Sequence, residues 1–159
     1  ACHRGFPTPW AAFTYFTGLE RLFPHSRLFG QYHLGFLDSR AIHEIDSPVG
    51  AFFMVRGEVV RDIGLLDEAY FMYGEDLDFA YRIKSAGWKI FFLPDVSILH
   101  HKKQSGRAHS DPHLRRLTRQ YFYSTMALFY HKHYQGRYGF ITTRLVLFGV
   151  WVLSKFYFL

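Results

Sequence analysis

Apolar and polar positions alternate most regularly in the middle of the chain. A stripe at Asp76, Ala80, Ile83 and Gly87 predicts a helix that opens at Glu75-Asp76 and runs through Arg82 to about Ala86. Gly87 supplies the left-handed residue that stops it. On this helix Asp76 falls at the end of the inward face, a pocket-lip position, and Asp78 with Arg82 is expected to form a plain surface ion pair on another face. Residues 88–92 then read as a strand, Pro94-Asp95 as a turn, and residues 96–99 as a second short apolar strand ending at His100. Upstream, the apolar run at residues 51–55, introduced by Pro48 and Gly50, reads as a buried strand, and residues 59–63 as a short helix closed by Gly64.

The flanks are read by their punctuation. Thr8-Pro9 is a good N-cap and first-turn pair for a helix through Phe16-Thr17, stopped by Gly18. Residues 19–40, broken by Pro24, Gly30 and Gly35, predict irregular chain. Ser110-Asp111-Pro112 starts a further helix with Leu114, Leu117, Tyr121 and Leu128 on one side and Arg115, Arg116 and Arg119 on others. The stretch 138–159 is strongly apolar, but Arg144 and Lys155 interrupt it, and its clean run is short against the roughly 20 residues a bilayer span needs. Two readings stay open there. One is an interfacial helix with Phe148, Trp151, Phe156, Tyr157 and Phe158 at headgroup depth and Arg144 and Lys155 reaching phosphate; the other is a final helix packed on the domain.

Composition sharpens this picture. A chain of 159 residues suffices for one domain, yet 18 Phe and 11 Tyr are many for an independent soluble unit, so some rings are expected to cover a missing sheet or a membrane. The single cysteine, Cys2, excludes an internal disulfide framework and suits a reducing compartment. A net charge of +6 points toward anionic partners. No aromatic RNP strand or zinc-finger spacing appears, which argues against nucleic acid as the partner.

Candidate chemistry gathers at Glu75-Asp76 and His100. On a first helical turn the unpaired backbone N–H groups and the helix dipole favour an ionised carboxylate, which keeps a base available near neutral pH. His100 stands at a predicted strand end, where α/β proteins place their chemistry. A hydrolase built on His100, His101 and Asp76 is disfavoured, because paired metal-ligand spacings such as His-Glu-x-x-His are missing. His131 and His133, two apart on a helix, point to different sides and read as structural or surface residues.

The run Met72-Tyr73-Gly74-Glu75-Asp76-Leu77-Asp78, with Tyr81-Arg82, Gly87-Trp88 and Leu99-His100-His101, resembles the C-terminal half of family 2 inverting glycosyltransferases, and within them the bacterial rhamnosyltransferase-like branch. The resemblance covers residues 46–101 and extends more loosely over 4–40 and 107–134. It implies an α/β fold: the acceptor-side part of a GT-A Rossmann-like domain over residues 1–110, followed by a C-terminal helical region, 111–159, with candidate membrane association. In it Asp76 matches the catalytic base, Glu75 orients the acceptor or a loop, and His100 completes a site for Mg²⁺ or Mn²⁺. Gly50-Ala51 matches the small pair that lets the acceptor approach, and Asp46 faces the same groove.

The basic residues of 101–119 have two readings: a solvated face, also suited to anionic lipid headgroups, or a mobile loop in which Arg107 offsets charge on a departing nucleotide diphosphate. The implied partners are a nucleotide-diphosphate sugar donor, a lipid-linked or polysaccharide acceptor and an anionic membrane surface, with no nucleic acid; the implied location is the cytoplasm, peripheral to the inner face of the plasma membrane. The family's nucleotide-binding half, with an Asp-x-Asp metal motif on a loop, should precede these residues. Asp76-Leu77-Asp78 has that spelling but belongs to the helix start, so the chain reads as a fragment that is inactive by itself. No Gln-x-x-Arg-Trp element is present, so single-residue transfer is expected rather than polymer extrusion. The competing class is a basic, membrane-peripheral binding module without chemistry.

Overall fold

The computed structural model describes residues 3–99 and 111–156. The chain divides into two units, Ala1–Asp67 with Asp76–Leu99, and Glu68–Glu75 with His100–Leu159.

The first unit runs through β1 (His3–Arg4), α1 (Pro9–Thr17), α2 (Leu19–Leu22), β2 (His43–Ile45), β3 (Ser47–Pro48), α3 (Gly57–Ile63), α4 (Glu75–Ser85, its first residue in the other unit) and β4 (Ile90–Phe92). The strands form two antiparallel ladders: β1 with β3, Arg4 opposite Ser47, and β2 with β4, Ile45 opposite Ile90. Helix ends follow the punctuation. The Thr8 hydroxyl accepts the Ala11 N–H at 3.1 Å, Pro9 occupies the first turn, and Gly18 closes α1 at φ 81°. Gly87, at φ 87°, follows α4 in the same way. Leu34, Ile45, Val59, Phe79, Ala80, Ile83 and Ile90 form the core, with Phe53, Trp88 and Phe92 packed against it.

The structure departs from the sequence reading in several places. Residues 51–55 form no strand; Phe53 and Val55 touch the core while Met54 is 82% exposed, so the run turns past the core edge instead of crossing it. Residues 96–99 are likewise irregular, with Leu99 exposed, and the strand expected from Trp88 begins at Ile90. Among the described residues, neither apolar run pairs with a strand that would complete a backbone ladder. Residues 19–40 contain the short α2 and a set of turns ordered by Glu20. Its buried carboxylate accepts the His33 N–H at 2.8 Å and lies 3.0 Å from His33 Nδ1.

The second unit contains α5 (Pro112–His133) and α6 (Phe140–Phe156). Asp111 caps α5 by accepting the His113 N–H at 2.7 Å. The helices meet where Tyr130 Oη lies 3.1 Å from Thr143 Oγ1, and the rings of Tyr130, Tyr134 and Tyr138 pack edge to face or stacked around the turn between them. Among the described residues, no helix is long and apolar enough to cross a membrane.

Candidate functional site

The loop before α4 ends in two residues at positive φ, Tyr73 at 69° and Gly74 at 82°. Side chains disfavour this region by about 1 kcal/mol or more, so the turn is imposed by its surroundings. A Cβ on Gly74 would lie 3.2 Å from the Tyr70 ring and 3.5 Å from Thr125 Cβ, which leaves glycine the fitting residue. Glu75-Asp76 follow this turn directly as the first turn of α4.

Asp76 is held by three N–H donors. Its Oδ1 accepts the Leu77 N–H at 2.8 Å, and its Oδ2 accepts the Gly50 N–H at 2.8 Å and Arg4 Nη2 at 2.7 Å. The carboxylate side chain is 17% exposed, so it reaches solvent at one edge while most of it is enclosed. Arg4 Nη2 also donates to the Pro48 carbonyl at 2.6 Å, and the Tyr32 phenol lies near enough to act on the same guanidinium. Burial opposes the charge on Arg4, but Tyr32 and Asp76 outweigh it and raise the guanidinium above its ordinary value. Burial pushes the Tyr32 phenol up, with Arg4 pulling against it.

Strand pairing explains the convergence. Arg4 lies on β1, β1 lies against β3, and Gly50 follows β3 by two residues, so one ladder delivers both donors to Asp76. A Cβ on Gly50 would meet Asp76 Cβ at 3.2 Å and Oδ2 at 3.3 Å, a close approach that only glycine makes without displacement.

The other expected site residues are placed differently. Asp46 does not bond Asp76: its Oδ1 accepts Lys84 Nζ at 3.0 Å, its Oδ2 accepts the Phe6 N–H at 3.2 Å, and its own N–H donates to the Arg4 carbonyl at 3.2 Å. It therefore braces the strand that carries Arg4. Lys84 also bonds Glu44 Oε1 at 2.9 Å; burial works against its charge, and the Glu44 and Asp46 hydrogen bonds overcome that and raise it. Ala51 is exposed in the turn after Gly50. One Glu75 carboxylate oxygen is buried and has no hydrogen-bond partner among the described residues. His100 and Arg107 lie outside the described residues.

The expected surface pair Asp78–Arg82 is corrected. The Asp78 side chain is fully buried, with Arg82 Nε at 2.8 Å from its Oδ2. Arg82 also donates to the Ile63 carbonyl at 2.7 Å and the Leu65 carbonyl at 2.6 Å, so the end of α3 and the chain after it cover the face that spacing alone assigned to solvent. Arg4 and Tyr32 were not singled out from the sequence as site residues. No spacing rule links position 4 to position 76, and neither residue sits in a motif of its own.

Among the described residues, no group of three or more His, Cys, Asp and Glu is placed to hold a metal ion. What the cluster offers is an ionisable carboxylate fixed in orientation, with a glycine backbone alongside and one edge open. Such a group can accept a proton from a hydroxyl brought to it.

Comparison with known proteins adds an independent line. A family model described as glycosyltransferase like family 2 matches residues 26–123, more than half of the chain. The chain is 41% identical over 56 residues to the N-acetylglucosaminyl-diphospho-decaprenol L-rhamnosyltransferase of Mycobacterium tuberculosis, over 35% of this chain and 18% of that protein. It is 30% identical over 64 residues to the rhamnosyltransferase WbbL of Escherichia coli, over 40% of this chain and 24% of that protein. The matched segments thus span about a fifth to a quarter of these relatives' lengths. No solved structure matches the chain at a comparable level.

Proposed function

The chain belongs to the glycosyltransferase-like family 2, and from that premise we propose that it is the acceptor-side part of an inverting sugar transferase. Its proposed reaction moves a rhamnosyl or related hexosyl group from a nucleotide-diphosphate donor to a hydroxyl of a lipid-linked or other cell-envelope glycan. The partial matches to a decaprenol-linked rhamnosyltransferase and to WbbL support the sugar and acceptor class. The observation that carries the reading is Asp76, a carboxylate oriented by three donors beside the backbone of Gly50.

In the proposed step the acceptor hydroxyl lies against the open edge of Asp76. Asp76 takes its proton as the oxygen attacks the anomeric carbon from the face opposite the diphosphate. The bond to the diphosphate breaks, the leaving group departs with the electron pair, and configuration inverts. Gly50 and Ala51 leave room for the acceptor, and Asp46 shapes the groove through the Arg4 strand it braces. Glu75, with one carboxylate oxygen buried and unpartnered among the described residues, is assigned to orient the acceptor or the loop.

We assign residues 1–110 to a GT-A-type catalytic part and 111–159 to a helical attachment, with the nucleotide-binding half supplied outside this sequence. Arg107 is assigned to offset charge on the departing diphosphate. The described residues do not by themselves form a metal site; Mg²⁺ or Mn²⁺ would be held by His100 with carboxylates of that other half, where it would stabilise the diphosphate. The exposed apolar face of α6, flanked by Arg144 and Lys155, fits peripheral attachment to the cytoplasmic leaflet. The family match, rather than this face, favours an enzyme over a binding module without chemistry.

The test is Asp76→Asn in the full-length enzyme, assayed for transfer from a nucleotide-diphosphate rhamnose to an N-acetylglucosaminyl-diphospho-polyprenol. The expected outcome is a kcat lower by roughly 10²- to 10⁴-fold with the donor KM little changed. Transfer near the parental rate would remove Asp76 from the chemistry.

A further inference from the structure

We infer that Arg4 is a positioning residue for Asp76, selecting which carboxylate oxygen takes the proton; this rests on the reading of Asp76 as the base. A carboxylate offers about four lone-pair sites. On Asp76 the two sites of Oδ2 are occupied, one by Arg4 Nη2 at 2.7 Å and one by the Gly50 N–H at 2.8 Å. Oδ1 accepts one bond, from the Leu77 N–H at 2.8 Å, and among the described residues keeps a site open. Oδ1 is therefore the oxygen that receives the acceptor's proton, and Oδ2 is the anchor.

The anchor is built to be stiff. Arg4 Nη2 is shared with the Pro48 carbonyl at 2.6 Å, the Tyr32 phenol favours the charge on the same guanidinium, and the Arg4 carbonyl accepts the Asp46 N–H at 3.2 Å. Close packing continues next door: the Gly5 N–H donates to the Tyr32 carbonyl at 2.8 Å, and a Cβ on Gly5 would overlap the Gln31 carbonyl. An ion-assisted bond between such partners is about twice as strong as a neutral one. Without Arg4, only the Gly50 and Leu77 N–H groups hold the carboxylate, and it can turn toward the unpaired N–H groups of its own first helical turn. The aligned oxygen would then be lost while the fold and the donor site persist.

The experiment compares Arg4→Met and Arg4→Lys with the parental full-length enzyme, using a nucleotide-diphosphate rhamnose and an N-acetylglucosaminyl-diphospho-polyprenol. Arg4→Met is expected to lower kcat roughly 10- to 100-fold, as for an ångström-scale misplacement of a reacting group, with the donor KM within about twofold. Millimolar guanidinium chloride should restore part of that rate without raising Tm, and should restore nothing in Asp76→Asn. Should Arg4→Met fail to fold, Arg4→Lys carries the kinetic test, with a smaller loss in kcat and an unchanged KM. An unchanged kcat, a loss confined to KM, or no rescue by guanidinium would overturn the assignment.

A parental enzyme that transfers no rhamnose would sink the donor reading instead. The Arg4 assignment is then decided by thermal unfolding of Arg4→Met, Asp76→Asn and the double variant. Non-additive Tm shifts are expected for partners in direct contact, and additive shifts would overturn it.

Discussion

Helices α4 and α6 invert the usual relation between composition and burial. The charged α4 places Asp78, Phe79, Ala80 and Ile83 in the interior. The far more apolar α6 buries none of its described side chains, and Phe140, Ile141, Leu145, Phe148 and Trp151 are exposed. The difference lies in what other segments bring to each helix. Toward α4 come the Arg4 strand at Asp76, the Ile63 and Leu65 carbonyls at Arg82, and Glu44 and Asp46 at Lys84. For α6 the described contacts are with α5, through Thr143 on Tyr130. Polar residues are thus buried where distant chain supplies partners, and apolar residues stay outside where none of the described chain arrives.

The largest way to break this contrast is to remove a partner from α4. Arg82→Met takes the 2.8 Å guanidinium contact from the fully buried Asp78 and the Arg82 donors from the Ile63 and Leu65 carbonyls. Breaking a buried pair costs about 3–5 kcal/mol, and the partial exposure of Arg82 sets the expectation at the low end, about 3 kcal/mol. Urea unfolding should show a lower midpoint with an unchanged slope. A loss under about 1 kcal/mol would mean that other groups carry the Asp78 charge.

The same contrast explains how much was legible in the sequence. Helix existence and ends were readable because their signals are local: Thr8-Pro9, Gly18, Gly87 and Asp111-Pro112 each act within one turn. Asp76 and Gly50 were both singled out, the one as a base and the other for an approaching acceptor, though not as mutual partners. What failed depended on segments far away in sequence. The burial of Asp78 depends on residues 63–65, the end of the strand-like run at 51–55 on what lies beside it, and the Arg4 contact on the pairing of β1 with β3. The ladders of β1, β2 and β3 escaped notice because two- and three-residue strands carry no readable alternation.

An intermediate effect sharpens the comparison through pH. His3 is 5% exposed, with its Nδ1 at 3.2 Å from His43 Nε2 and its ring 5.0 Å from that of Phe92. Burial, and then the neighbouring His43, holds His3 below the ordinary 6.5. The unfolded chain therefore takes up this proton at a higher pH than the folded one, so stability falls as pH drops below about 6.5 and is flat above it. Thermal unfolding should give a constant Tm between pH 7 and 8 and a decline toward pH 5, with the decline weakened in His3→Gln. The sequence of α6 holds no histidine or acid, so its surface behaviour should not change over this range.

The smallest expected effect on stability, and the one that decides what α6 is for, comes from Phe148→Ser combined with Trp151→Ser. Both residues are exposed and stack on each other, with ring centroids 5.9 Å apart. Exposed substitutions shift folding stability by about 0.5 kcal/mol or less, so Tm should hardly move. If the face seats in a lipid interface, each ring removed forfeits about 1.5–3 kcal/mol of burial there. Co-sedimentation of the full-length enzyme with anionic phosphatidylglycerol vesicles should then fall at least tenfold, and high salt should weaken the parental binding through Arg144 and Lys155. A Tm loss like that expected of Arg82→Met, with vesicle binding unchanged, would mean that protein covers this face. α6 would then be buried as α4 is, by chain that reaches it from elsewhere.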